Sequence, residues 1–162
     1  MELQSFSMRI ESKDGSALVF FSGTLNEEAY AQYVKLAESL PKSCVFDFGG
    51  VSFINSTGVR DWIKFIRLVQ TGRTIVFERC TDSLIGNMNL MPYMVGEATI
   101  KSVLRNSTCP KCGALDAILL VQGKDFDGNG HMLSDTPACR TCKTIVVWDM
   151  PDSEYFLFQR PG

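Results

Sequence analysis

The chain is 162 residues long, 45% hydrophobic and 21% charged, with a formal net charge of -2 and a pI near 5.4. A chain of this size can bury a core of its own, in one domain or in one domain with a small appendage, and its balanced charge supplies no basic field for nonspecific binding to nucleic acid or to an anionic membrane. The first residues carry no cationic lead followed by an apolar segment, and no run of about 18 apolar residues could span a bilayer, so the expected location is the cytoplasm.

Two strands are expected first, at 6–11 and 17–21, joined by a turn in which Asp14-Gly15 supplies the bend. Asn26 is placed to cap a helix whose first turn holds Glu27 and Glu28. Its apolar positions Tyr30, Tyr33, Val34 and Ala37 recur at helical spacing until Pro41 ends it. Residues 45–48 read as a central strand, continuously apolar apart from Asp47. After Gly49-Gly50 a second short apolar segment, Val51, Phe53 and Ile54, leads into Asn55-Ser56-Thr57-Gly58. From there to about Gln70, the positions Val59, Trp62, Ile63, Ile66 and Val69 make the stripe of a helix closed by Gly72, with Trp62 in the core. Residues 74–78 form another short buried strand. Asp82 or Ser83 then caps a helix carrying Leu84, Ile85, Met88 and Met91 up to Pro92; methionines at this spacing suit either plain core or an adaptable binding face. Residues 99–104 form the last strand of this part.

Ser56 sits at a helix N-terminus, where free backbone N–H groups and the helix dipole favour negative charge. It is either an ordinary capping residue, a role for which Ser, Thr and Asn are all preferred, or a hydroxyl placed where a phosphate is tolerated.

The composition changes at Asn106-Ser107-Thr108. This divides the chain into residues 1–106, an α/β layer with a mixed sheet, and residues 107–162, a cysteine-rich module. Residues 1–105 hold 11 basic and 11 acidic side chains, and residues 106–162 hold 5 and 7. Neither part is basic, which counts against nucleic-acid binding, including binding through the cysteine module.

Four of the six cysteines form two C-x-x-C pairs, Cys109 with Cys112 and Cys139 with Cys142, with 26 residues between the pairs. Two residues between cysteines let a tight turn aim both thiolates at one ion, and two such turns complete a tetrahedral four-thiolate site. The segments 114–123 and 144–150 read as strands that pair within such a module, the plan of a small C-terminal β-hairpin zinc ribbon. Structural zinc is the expected metal. Iron in a rubredoxin-like redox or sensing site and disulfide pairing are the alternatives. Roughly 55 residues with few large apolar side chains lean on a bound metal for stability. Lys111, Arg140 and Lys143 flank the thiolates, either as counter-charges or as solvated surface residues.

Between the two pairs, Asp125, Asp127, Asn129 and Gly130 imitate the first half of an EF-hand loop. The twelfth position is Thr136 rather than a bidentate Glu, so an acidic turn competes with a calcium site. The single histidine, His131, falls in this loop as a solvent-exposed residue. With no nucleophile–base pair and no Gly-rich phosphate cradle, the chain is not expected to be an enzyme.

The order hairpin, helix, strand, turn, helix, strand, helix, with SFINSTGV at the junction after the third strand, resembles a STAS domain, the fold of bacterial anti-sigma-factor antagonists. The resemblance covers roughly residues 1–105. The family's turn usually reads Asp-Ser-Ser-Gly followed by an aliphatic residue, and its first Ser accepts phosphate. Asn55-Ser56-Thr57-Gly58-Val59 matches that turn with Asn in place of the Asp, and FSGTLNEEAY around Gly23 is similar to the family's strand, Gly and helix entry. The resemblance implies a mixed β-sheet packed against helices and a non-enzymatic signalling role in transcription regulation through protein–protein contact. It makes Ser56 the phospho-acceptor, with Asn55, Thr57 and Gly58 in the same partner-binding turn. The partners it implies are an ATP-dependent serine kinase of the anti-sigma type and a metal-dependent serine phosphatase. The family's terminal helix has no counterpart in the pattern, and the cysteine module is expected to pack where that helix would lie.

Overall fold

In the computed structural model, which describes residues 4–160, the chain opens with β1 (Ser7–Lys13) and β2 (Ser16–Leu25), an antiparallel hairpin. Its turn is Asp14-Gly15 alone, with φ of 50° and 77°. Positive φ at both central residues matches the twist of the flanking strands, so the strands run closer to the turn than the sequence pattern indicates. A single 3-10 turn (Glu27–Ala29) leads into α1 (Tyr30–Ser39), and Asn26 Oδ1 accepts a hydrogen bond from Glu28 N at 3.1 Å, the expected cap. The buried stripe is Ala29, Tyr33, Leu36 and Leu40. Tyr30 and Val34, expected on that face, lie about 100° around the helix from it and stay exposed.

β3 (Ser43–Ile54) is one strand of 12 residues that joins the expected strand at 45–48 and the second apolar segment across Gly49-Gly50. Gly49 and Gly50 belong to it because their neighbours leave no room for a Cβ. At Gly49 a Cβ would lie 2.4 Å from the Arg79 guanidinium, and at Gly50 it would lie 2.6 Å from Cβ of Ser22. The β2–β3 register shifts at this point, the irregularity glycine commonly marks in a strand. Asp47, the exception in the apolar run, is buried and takes two hydrogen bonds from Arg79, Nε and Nη2 both at 2.7 Å, with a third from Gly49 N at 2.9 Å. A bidentate pair of this kind satisfies a carboxylate that burial alone would penalise.

The remaining elements are α2 (Ser56–Val69), β4 (Thr74–Glu78), β5 (Cys80–Thr81), α3 (Asp82–Leu90), β6 (Thr99–Ile100), β7 (Ser102–Thr108), β8 (Leu115–Val121) and β9 (Val147–Trp148). Thr81 rather than Asp82 or Ser83 holds the cap position of α3, because Asp82 already has helical backbone. The main sheet has the order β1-β2-β3-β4-β6, parallel throughout except for the β1–β2 hairpin. Phe21, Tyr33, Phe46, Phe48, Trp62, Phe65 and Phe77 interlock in its core. Trp62 is fully buried, as expected, and its Nε1 donates to Met94 O at 2.8 Å.

The strand expected at 99–104 breaks at Lys101. β6 stays in the main sheet, whereas β7 enters a second sheet, parallel to β5 and antiparallel to β8 and β9. Residues 115–121 and 147–148 therefore do not pair with each other as a self-contained hairpin would require; both use β7, β8 along its full length and β9 at Ser107 and Thr108. Position 106 lies inside β7, and Val103, Leu120, Phe126, Tyr155 and Phe156 share one hydrophobic cluster with the core of the main sheet.

Arg105 organises this junction. It is completely buried; Nη2 donates to Met150 O at 2.6 Å, Nη1 pairs with Asp152 at 2.7 Å, and the guanidinium stands 4.4 and 4.3 Å from the ring centroids of Trp148 and Tyr155. The Tyr155 hydroxyl donates to Asp82 at 2.9 Å and Asn89 Nδ2 donates to Glu154 O at 2.8 Å. Residues 148–155 are thus fastened to β7 on one side and to α3 on the other. Among the described residues, no helix is long and apolar enough to cross a membrane.

Candidate functional site

α2 is entered through Asn55-Ser56-Thr57-Gly58. Asn55 has extended backbone and is the cap: its Oδ1 accepts from Gly58 N at 2.7 Å, and its carbonyl accepts from Val59 N at 2.9 Å. The capping role that the sequence allows for Ser56 thus falls one residue earlier. Ser56 is the first residue of the helix and is exposed, and its hydroxyl makes no hydrogen bond among the described residues.

Asn55 has a second partner, because its Nδ2 donates to Glu27 Oε2 at 3.3 Å. An amide can accept from Gly58 and donate to Glu27 at once, whereas an aspartate here would set two carboxylates against each other. The Glu27 carboxyl is held below its ordinary range by its own backbone N–H and by Asn55. A depressed folded-state pKa contributes stability above the unfolded value, and that contribution disappears as pH falls through the folded one, so Glu27 is ionised across the neutral range. The acidic group beside this turn therefore comes from the entry to α1, not from the residue before the serine.

Gly58 lets the first turn of α2 touch the end of β2. A Cβ there would lie 2.0 Å from Leu25 O, the same carbonyl that accepts from Asn55 N at 3.2 Å. Gly58→Ala is expected to push the helix entry off the strand at a cost of about 1–3 kcal/mol, measured by urea denaturation; unchanged stability would show that the entry has slack.

From Ser56 onward, α2 faces α3 across a groove of about 530 Å³ with Val59 and Ile63 on one wall and Leu90 and Met91 on the other. The two readings of the methionines divide between residues: Met88 is buried in the core, and Met91, 42% exposed, lines the groove. Leu90 is a site residue absent from the sequence expectations, although its spacing carried the signal: it lies about 100° around the helix from the Leu84, Ile85, Met88, Met91 stripe and is exposed, as are Met91 and Tyr93 beside it.

The second candidate centre is the cysteine cluster. The sulfurs of Cys109, Cys112, Cys139 and Cys142 all lie within 4.8 Å of one another, with 3.4 Å between Cys109 and Cys142 and 3.7 Å between Cys112 and Cys139. Four thiolates bound to one ion at about 2.3 Å stand roughly 3.8 Å apart, so the donor set fits a tetrahedral metal. Both pairs sit on the same turn: Gly113 N donates to Cys109 O at 2.9 Å, and Lys143 N donates to Cys139 O at 3.0 Å. Backbone N–H groups of Cys142 and Thr141 hold the Cys139 thiol below its usual range, and the hydroxyl and N–H of Thr144 lower Cys142 to about 6. Against the lowering pull of the Ala114 N–H, the neighbouring sulfurs push Cys112 up to about 12, so a metal binding here displaces a proton from Cys112. Arg140 pairs with Asp116 at 3.1 Å, and Lys143 Nζ donates to the Arg140 carbonyl at 3.2 Å.

Gly113 and Lys143 both have left-handed backbone, with φ of 70° and 63°. The second turn adopts that conformation without a glycine, at a cost of about 1 kcal/mol. Lys143→Gly is therefore expected to stabilise the metal-loaded protein by up to about 1 kcal/mol in denaturant titration, and a destabilised variant would contradict the strain.

Among the described residues the four cysteines are the one group of three or more His, Cys, Asp or Glu arranged to hold an ion. The EF-hand-like loop uses its carboxylates on itself: Asp125 accepts from Val121 N, and Asp127 from the N–H groups of Asn129 and His131, each at 2.9 Å. It is an acidic turn, and His131 on it is exposed.

No protein-family model matches the chain, and no curated protein matches it. Among solved structures, an anti-sigma factor antagonist from Mycobacterium paratuberculosis aligns with a TM-score of 0.51 at 15% identity, over 59% of this chain and 85% of that one. The fold is a STAS fold. The anti-sigma factor antagonist SpoIIAA in its unphosphorylated form aligns at TM-score 0.46 and 13% identity, covering 58% of this chain and 87% of that one. An uncharacterized DUF3478-family protein with a SpoIIAA-like fold from Shewanella loihica PV-4 aligns at 0.43 and 15%, covering 62% and 88%. The STAS likeness establishes the mixed sheet packed against helices; the use of the Ser56 turn and the cysteine cluster is argued from this chain's own residues.

Proposed function

We propose that this chain is a non-enzymatic signalling protein of the cytoplasm that acts in transcription regulation as anti-sigma factor antagonists do, binding a protein partner through the Ser56 turn and switched by phosphate at Ser56. The observation that carries this is the placement of Ser56: exposed, first in α2, its hydroxyl unengaged because Asn55 performs the capping. A phosphate there meets free helix N–H groups and the positive end of the dipole, so it leaves α2 folded. It acts by adding about -1.5 to -2 charges to a contact surface. Glu27 keeps the turn acidic in place of the family's Asp, through its hydrogen bond with Asn55. The partners are an anti-sigma-type serine kinase that uses ATP and a metal-dependent serine phosphatase that restores the hydroxyl. The four cysteines hold a structural zinc that supplies stability to the turns at 109–114 and 138–146 and takes no part in the switch.

Phosphopeptide mapping after incubation with an anti-sigma-type serine kinase and ATP tests the switch. One phosphate on Ser56, lost in Ser56→Ala, is the expected result; phosphate on Thr57, or none on the wild type, would overturn it. The same preparation is expected to be colourless with one equivalent of zinc, and a coloured iron protein would replace the metal assignment.

A further inference from the structure

Beside Ser56 a groove separates α2 from the end of α3; its apolar floor, Val59 and Ile63, is nearly buried, and its rim, Leu90 and Met91, is exposed. Val59 and Ile63 face Leu90 and Met91 across the groove, and Leu90 is 81% exposed. Two exposed apolar side chains over a nearly buried apolar floor form a pocket that can take an anchor side chain of a partner. Arg60, Lys64 and Arg67 recur at one-turn spacing along its α2 side, all exposed. The carboxylate nearest Arg60 and Lys64 is Asp61, 3.1 and 3.6 Å away and itself buried, so one negative charge stands against three positive ones. Arg67 lies 5.5 Å from the Tyr93 ring centroid at the far end.

We propose that this groove receives an amphipathic helix of a partner protein, apolar where it meets Leu90 and Met91 above the floor of Val59 and Ile63, and acidic along the flank that meets Arg60, Lys64 and Arg67. The inference rests on the Ser56 turn being a partner-contact surface and names the chemistry of what docks beside it. A groove between two helices offers no sheet edge, so an extended strand would gain no backbone ladder there, whereas a helix presents anchors at i, i+3 or i+4 and i+7. From Ser56 to Arg67 α2 rises about 17 Å, enough for roughly three turns of a docked helix. The basic strip selects an acidic flank and fixes its direction. Ser56 and Arg60 stand at i and i+4, so a phosphate on Ser56 pairs with Arg60 and competes with the acidic side chain that would otherwise occupy it.

The test uses the full-length, metal-loaded protein as bait for a displayed library of helical peptides. The expected enrichment is for apolar residues at i, i+3 or i+4 and i+7 flanked by Asp or Glu. A selected peptide, synthesised and measured by fluorescence anisotropy, is expected to bind at least tenfold more weakly to Leu90→Asp and to the double variant Arg60→Glu, Arg67→Glu. Replacing its acidic residues by Lys is expected to restore binding to that double variant. Leu90, Arg60 and Arg67 are exposed, and circular dichroism checks that each variant folds. Enrichment of basic or aperiodic sequences, equal binding to Leu90→Asp, or no enrichment at all would overturn the proposal. A Ser56→Asp arm separates it from the phosphate switch: a peptide that binds the groove regardless of Ser56→Asp removes the switch and leaves the groove standing. Kinase capture that responds to Ser56→Asp but not to Leu90→Asp or the charge reversal does the opposite.

Discussion

Removing the metal with a chelator is expected to unfold the two cysteine turns, 109–114 and 138–146, locally while β8, the Phe126 loop and the main sheet persist, the largest single effect on this chain. The cysteines belong to a small cluster of their own, Cys109, Cys139 and Val146 with Ala114, Ile118 and Cys142 packed against it. That is too little apolar surface to hold the two tight turns unaided, whereas the segment between them is held by β7 and by Leu120 and Phe126 in the main core. Four-thiolate zinc binding contributes on the order of 10 kcal/mol of apparent free energy in comparable small modules, so the loss is not offset by the few contacts that remain. Of these residues only Ile118 also packs against the main cluster around Trp62, which is expected to survive. Amide hydrogen exchange resolves the two: Gly113, Lys143 and Val146 should exchange rapidly in the chelated protein while the amides of β3 stay protected. Unchanged protection at the two cysteine turns would show that the metal is dispensable.

Arg105→Ala is expected to lower the unfolding free energy by about 3–5 kcal/mol, the range for breaking one side of a buried charged network. Little of that comes from the ion pair itself, since Asp152 is 57% exposed and its attraction is screened. The greater part comes from the Met150 carbonyl left without its donor and from the space opened between Trp148 and Tyr155. Arg105 Nε has no hydrogen-bond partner, so the wild-type arrangement is itself imperfect. Arg105→Met, which refills the space without a charge, is therefore expected to lose less than Arg105→Ala. Limited proteolysis should cut first within 148–160 in the alanine variant, because Arg105 fastens that segment to β7. Initial cleavage in β1 or β2 would place the weak point elsewhere.

The parts of this structure legible in the sequence are those fixed by local chemistry. The Asp14-Gly15 turn, the Asn26 cap, the stripe that buries Trp62 and the two C-x-x-C turns each depend on residues within a few positions of one another. What was not legible depends on residues far apart in the chain. Gly49-Gly50 separates two apolar segments in the sequence, and only the approach of Arg79 and Ser22 reveals two glycines in a continuous strand. The segment 115–121 reads as half of a hairpin, and its partner is β7, on the other side of a compositional boundary. Arg105 resembles any charged residue near the end of a strand until Trp148 and Tyr155 close over it. At the Ser56 turn the sequence placed a helix N-terminus, but which residue caps it required the Asn55 side chain and its bond to Glu27.

Capture of an anti-sigma-type serine kinase by wild-type, Ser56→Ala and Ser56→Asp baits, with bound metal measured on the same preparations, tests the central claim most directly. Wild type and Ser56→Ala should retain the kinase alike, and Ser56→Asp should retain it at least tenfold less, with equal metal in all three. Equal capture by the three baits would contradict a phosphate switch at Ser56.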